Sequence, residues 1–234
     1  MSNEISLPEL VNKFNQLDFI VESLKNEAGR LSTDDLIEFK QLINIMNQAN
    51  SSKEITTKEK GDTLENAVSF LLDRIGLFTV YKNVKTSTHE IDQIFELNEK
   101  GVLFSSKNFI PIPLMGFLGE CKNYNKKIPA TWIGKFFSLL VNSNNKFGIL
   151  FSFHKLTGNN WNDATGLTKK IYMLKENPKD KIIIVNFAYP DFKRIENGDN
   201  FFDIINEKIN TLKYDTDISK YISSHPAENQ IFKK

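Results

Sequence analysis

The sequence predicts an α/β protein, a mixed central β-sheet flanked by helices and preceded by an N-terminal α-helical hairpin. Three observations predict it. Apolar runs of strand length recur from residue 78 onward, segments with apolar residues at helical spacing stand between them, and the chain before residue 49 is helical in period throughout.

From Leu7 to about Gln48 the apolar positions are Leu10, Phe14, Leu17, Ile20, Val21 and Leu24, then Leu36, Phe39, Leu42, Ile43 and Met46. This reads as two amphipathic helices that break between Gly29 and Thr33, where Ser32-Thr33-Asp34-Asp35 supplies an N-cap for the second. Ala49 to Lys60 is polar with almost no apolar content and reads as a joint, so residues 1–50 are expected to form a hairpin for dimerisation or partner contact, 51–60 a linker and 61–234 the main domain. A helix through Leu64, Val68, Leu71 and Leu72 should stop near Gly76. Strands are expected at Phe78–Val84, Glu90–Leu97, Gly116–Cys121, Phe147–Phe153 and Lys181–Phe187, with helices at Thr131–Val141, Ala164–Leu174 and about Asn200–Leu212.

Composition bounds the function more than it names it. At 234 residues and 40% hydrophobic content the chain can bury one good core. With 30 Lys and Arg against 29 Asp and Glu, the net charge of +1 gives no global drive toward polyanions or acidic membranes, so a polyanion site must be a local patch. The single cysteine, Cys121, excludes an internal disulfide framework and a cysteine-rich zinc site, which fits a reducing compartment. No secretory leader and no membrane span are expected, and the cytoplasm is the expected location. There is no Gly-x-x-x-x-Gly-Lys-Ser/Thr, so any ATP-driven step would have to come from a partner protein.

The chemistry concentrates on the third strand, Gly116-Phe117-Leu118-Gly119-Glu120-Cys121-Lys122. Glu120 and Lys122, two apart, share one face of a strand, and both are expensive to bury unless paired or metal-bound. Asp92 on the preceding strand lies beside Glu120 if the two strands pair, and two close carboxylates make a site for a hard cation. Phosphodiester cleavage uses such parts: oxygen ligands hold Mg²⁺ against a phosphate oxygen, the metal acidifies an attacking water, and a lysine orients that water or stabilises developing charge. Glu65, on the helix before the first strand, is a further acid that could join the metal directly or through water. Asp92, Glu120, Lys122 and Glu65 are therefore the candidate catalytic residues, and Asp92, Glu120 and Glu65 the candidate metal ligands.

The run Lys60-Gly61-x-x-Leu64-Glu65-x-x-Val68-x-x-Leu71-Leu72-x-x-Ile75-Gly76, followed by Glu90-Ile91-Asp92 and Gly119-Glu120-Cys121-Lys122-Asn123-Tyr124, resembles the PD-(D/E)xK superfamily, in particular restriction-endonuclease-like proteins of the Mrr type. The resemblance spans roughly Lys60 to Phe187. It implies a metal-dependent nuclease in which Glu65, Asp92, Glu120 and Lys122 match the motif acids and lysine. Two departures stand out: a long segment from Glu99 to Met115 separates the motif strands, and Ile91 replaces the family's proline before the first motif acid. The function so implied is a Mg²⁺-dependent endonuclease acting on DNA, with Mn²⁺ a possible substitute, in restriction or defence against foreign DNA. Two-strand cutting favours a homodimer. A junction-resolving nuclease and a catalytically idle nuclease-like module that binds nucleic acid or protein remain as alternatives.

Blander readings compete at each residue. An acid followed two places later by Lys occurs three times, and Glu38-Phe39-Lys40 and Asp191-Phe192-Lys193 read as solvated surface. Lys126, Lys127 and Lys135, with Tyr124 and Trp132 interleaved, either line a phosphate backbone or form a solvated helix start. Trp132 reads as packing, His89 as polar surface beside the acidic strand, and His154 and His225 as histidines outside the motif. Cys121 alternates with the motif residues and should be a small buried apolar side chain.

Overall fold

The computed structural model describes residues 6–85, 90–110, 115–158 and 163–214. The first two helices begin where their caps direct. Helix α1 (Leu7–Glu27) starts at Ser6, whose hydroxyl accepts the Glu9 N–H, and α2 (Thr33–Ser51) starts at Ser32, whose hydroxyl accepts the Asp35 N–H. They differ in packing. α1 is exposed along its described length, with Leu7 and Phe19 each 74% exposed, whereas Phe39, Ile43 and Met46 of α2 are fully buried against α3 (Thr57–Ile75) and α7 (Tyr189–Glu196). α2 thus joins the core of the main domain rather than closing a separate hairpin on α1. The expected linker is shorter than residues 51–60, because α3 already begins at Thr57. Polarity alone suggested a joint there. Thr56 and Glu59, however, form a capping box in which each side chain takes the other's backbone N–H, and this starts a helix in a polar stretch. At the other end Gly76 closes α3 at φ 70°, a left-handed conformation that suits glycine.

Five strands follow: β1 (Phe78–Lys85), β2 (Glu90–Leu97), β3 (Gly116–Lys122), β4 (Phe147–Ser152) and β5 (Ile183–Ala188), in sheet order β1-β2-β3-β4-β5. β1, β2 and β3 pair antiparallel; β3, β4 and β5 pair parallel. The parallel pairs need crossovers, and α5 (Ala130–Asn142) and α6 (Ala164–Met173) supply them. A mixed α/β sheet flanked by helices was the expected class.

Both faces of the sheet are covered, so its central strands read as unbroken apolar runs such as Phe147-Gly148-Ile149-Leu150-Phe151. Alternate residues divide between two cores. Phe117, Ile149, Phe151 and Val185 face α2, α3, α7 and α8 (Phe201–Tyr214), and Leu118, Leu150 and Ile184 face α5 and α6. Each fully buried Phe or Leu contributes about 1.5–3 kcal/mol through its apolar area.

Two segments differ from expectation. The stretch from Glu99 to Met115 is not all loop: Asn98 caps Gly101 and starts α4 (Glu99–Ser106). Pro190-Asp191-Phe192-Lys193 is not solvated surface but the first turns of α7, with Phe192 fully buried and Asp191 8% exposed. The Asp191 carboxylate accepts the Ala188 N–H at 2.7 Å and pairs with Lys208 at 2.8 Å. Pro190 in the first helical turn fits its missing N–H and fixed φ. Glu38 and Lys40, by contrast, are exposed as expected.

Candidate active site

β2 and β3 carry the candidate residues to the edge where they stop pairing. Their registered pairs run from Glu96 opposite Gly116 to Gln93 opposite Gly119. One residue further on, the ladder is replaced: the Cys121 N–H donates to the Asp92 carboxylate at 2.9 Å instead of to a strand carbonyl. Asp92 is fixed in place by β3 itself, and the two strands open there. Gly119 permits the close packing beneath, because a Cβ at that position would come within 2.6 Å of the Phe95 ring.

Lys122 lies between the two acids. Its Nζ is 2.7 Å from Glu120 Oε1 and 3.4 Å from Asp92 Oδ2, with side-chain exposures of 17% for Lys122, 13% for Glu120 and 22% for Asp92. Burial lowers the lysine's pKa, but the Glu120 and Asp92 carboxylates outweigh it and hold the ammonium above its ordinary value. Glu120 moves up as well, first through burial and then through Asp92 and Glu65, with Lys122 opposing. Glu65 on α3 is raised by burial, by Asp92 and by Asp62. The sequence-predicted residues Glu65, Asp92, Glu120 and Lys122 thus share one electrostatic environment. Asp92, Glu120 and Lys122 are in direct contact; Glu65 is coupled to them through the field.

The donor set suits a hard cation in kind. Three carboxylates against one ammonium leave two negative charges uncompensated, the charge of one divalent ion. Asp92 and Glu120 would hold such an ion, with Glu65 coupled to them from α3. Among the described residues no three His, Cys, Asp or Glu side chains converge as ligands, and the ammonium of Lys122 fills the space between the nearest two acids.

Trp132 on α5 extends the site. Its ring stacks on Tyr124 with centroids 5.7 Å apart, and Lys122 and Lys135 place their ammonium groups 4.9 and 4.5 Å from its centroid. The packing role expected of Trp132 is therefore also an electrostatic one. Lys126, Lys127 and Lys135 are exposed around this edge, as phosphate-contacting lysines would be, and so would solvated ones. Cys121 is buried on the opposite side in the core with α3, and burial, followed by the nearby carboxylates, pushes its thiol well above the ordinary value. His154 is half-buried and lowered by burial, while His89 and His225 lie outside the described residues.

Two contributors escaped the sequence reading. Gln93, 1% exposed, donates to Ser69 Oγ at 3.0 Å and ties β2 to α3, the helix that carries Glu65. Asn123, immediately after Lys122, donates to the Lys60 carbonyl at 2.6 Å and ties the end of β3 to the same helix. The signal for both was a polar side chain at a position whose neighbours pack inward. No family model, no curated protein and no solved structure matches the chain.

Proposed function

We propose that the chain is a metal-dependent endonuclease that hydrolyses phosphodiester bonds of DNA, a nuclease of PD-(D/E)xK type acting in restriction or defence against foreign DNA. The observation that carries this reading is the convergence of Asp92 and Glu120 on Lys122 where β2 and β3 part, with Glu65 coupled to them from α3. Mg²⁺, or Mn²⁺ in its place, supplies a polarised phosphate and an acidified water when bound. Asp92 and Glu120 bind and orient; the Cys121 N–H keeps Asp92 aimed at the opening. Once the carboxylates have another counter-charge, the Lys122 ammonium is free to hold the attacking water or the charge developing on the phosphate. Trp132, stacked on Tyr124, lies against the Lys122 ammonium, and Lys135 adds positive charge at the rim. Cutting both strands takes two such sites, so the active form on duplex DNA is a homodimer.

The test is cleavage of supercoiled plasmid, branched DNA, single-stranded DNA and RNA by purified protein with Mg²⁺, Mn²⁺ or EDTA. Metal-dependent nicking or linearisation of the plasmid supports the reading. Cleavage confined to branched DNA supports a junction-resolving nuclease instead. The second reading, an idle nuclease-like module that binds nucleic acid or protein, is favoured by one observation: Lys122 already satisfies both nearest carboxylates. Binding of DNA without cleavage under any metal would select it.

A further inference from the structure

Immediately beyond Lys122 the chain enters the wall of a cavity of about 210 Å³, lined by Thr57 and Lys60 of α3 and by Asn123, Tyr124, Asn125 and Lys126. Two lysines and no acid line it. Lys60 is 5% exposed, and its ammonium donates to the Asn50 carbonyl at 3.3 Å and to Asn125 Oδ1 at 3.1 Å. Both acceptors are neutral, and among the described residues no carboxylate pairs with it. A buried ammonium without a counter-ion is costly. Part of its role is internal, since the last turn of α2 carries no basic residue and Lys60 bonds one of that turn's carbonyls. That role uses one N–H, Asn125 uses a second, and an ammonium has three.

Asn123 holds the backbone of Lys60 in place. It is 6% exposed, its amide nitrogen is spent on the Lys60 carbonyl, and its Oδ1 has no partner. One wall of the cavity therefore carries an ammonium lacking an anion, and behind it lies the enclosed Asn123 Oδ1. The first residue of α3, Thr57, also lines the cavity.

We infer that this cavity binds a phosphate group, held by Lys60 from within and Lys126 from the rim. That the phosphate comes from a nucleic-acid strand rests on the nuclease reading above; the site itself does not. The strand has two sources of the group: an internal diester next to the scissile bond, or a terminal 5′-phosphate.

The experiment is binding, read in EDTA so that no cleavage enters. Fluorescence anisotropy follows labelled DNA bearing a 5′-phosphate or a 5′-hydroxyl across a salt series, with inorganic phosphate as competitor against chloride at equal ionic strength. Lys60→Gln and Lys126→Ala are compared with the unaltered protein. Lys126 is exposed, so its variant carries little folding risk, and a thermal melt checks Lys60→Gln. Inorganic phosphate should compete better than chloride, and each variant should weaken binding and reduce the salt slope by about 1. Tighter binding of the 5′-phosphorylated strand, lost in both variants, assigns the terminal group; equal binding of the two strands, weakened in both variants, assigns the internal one. Affinity and salt slope unchanged in Lys126→Ala and in folded Lys60→Gln overturn the proposal, whether or not the protein cuts DNA.

Discussion

Glu120 Oε1 and Lys122 Nζ, two residues apart on β3, stand 2.7 Å from one another at the point where β2 and β3 separate. One ammonium here bridges two poorly exposed acids, because Asp92 shares it. Lys122→Ala should therefore destabilise the fold by about 1–3 kcal/mol, the range for leaving charged groups unpaired in a site still reached by water. Lys122→Met with Glu120→Gln should lose less than Lys122→Ala, since it removes both charges together. Urea denaturation of the two variants checks the order.

The acids at this edge should make stability depend on pH with a definite sign. Glu65 and Glu120 are both raised from 4.5, so the folded chain holds these protons more tightly than the unfolded chain. Well below pH 4.5 neither state has ionised them and no penalty exists. As pH rises above that value the unfolded chain ionises first, and stability falls until the folded carboxyls ionise too. Glu65→Gln and Glu120→Gln should each flatten this decline relative to the unaltered protein. Melting temperatures across pH 4.5 and above measure it; identical pH profiles in all three proteins would contradict the shared-field picture.

Divalent cations should relieve the same excess of negative charge. At saturating Mg²⁺ or Mn²⁺, about 100 times the dissociation constant, a cation bound only by the folded chain adds about 2.7 kcal/mol. The expected result is a rise in melting temperature that Asp92→Asn and Glu120→Gln abolish and that EDTA reverses. A rise of the same size in Asp92→Asn would place the ion elsewhere.

Asp191 tests the fold rather than the function. Its carboxylate takes the Ala188 N–H at 2.7 Å and the Lys208 ammonium at 2.8 Å, joining the end of β5 to the start of α7 and to α8. Asp191→Ala should cost about 3 kcal/mol, since it removes a cap and leaves a half-buried lysine unpaired. Asp191→Asn should recover part of the cap but not the ion pair. Chemical denaturation of the two variants checks this, and a loss below that of an ordinary exposed substitution would contradict it.

Much of this architecture was legible in the sequence because its signals are local. Strand runs such as Phe147–Ser152 and caps such as Ser32 and Gly76 sit within a few residues of what they specify. The contacts of Asp92 with β3 followed from spacing, since residues two apart share a face and neighbouring strands pair. Long-range burial was what the sequence hid. Asp191-Phe192-Lys193 shows the same acid-x-Lys pattern as Glu120-Cys121-Lys122, and only the packing of α7 distinguishes a capping aspartate from a solvated one. Lys60 reads as the end of a polar stretch, yet α2 and the chain after β3 close over it. α2 likewise looks like half of a hairpin until its apolar face meets α3, which lies beyond the short joint that follows it.

The most direct measurement is plasmid cleavage by the unaltered protein, Asp92→Ala and Lys122→Ala side by side, with Mg²⁺, with Mn²⁺ and with EDTA. The nuclease reading predicts metal-dependent cutting that EDTA stops and that both variants reduce by at least about a hundredfold, the scale of losing one stabilising or positioning group from a site of this kind. Cutting that persists in both folded variants would contradict the assignment of Asp92 and Lys122, and the absence of cutting under either metal, with DNA still bound, would replace the nuclease by a binding module.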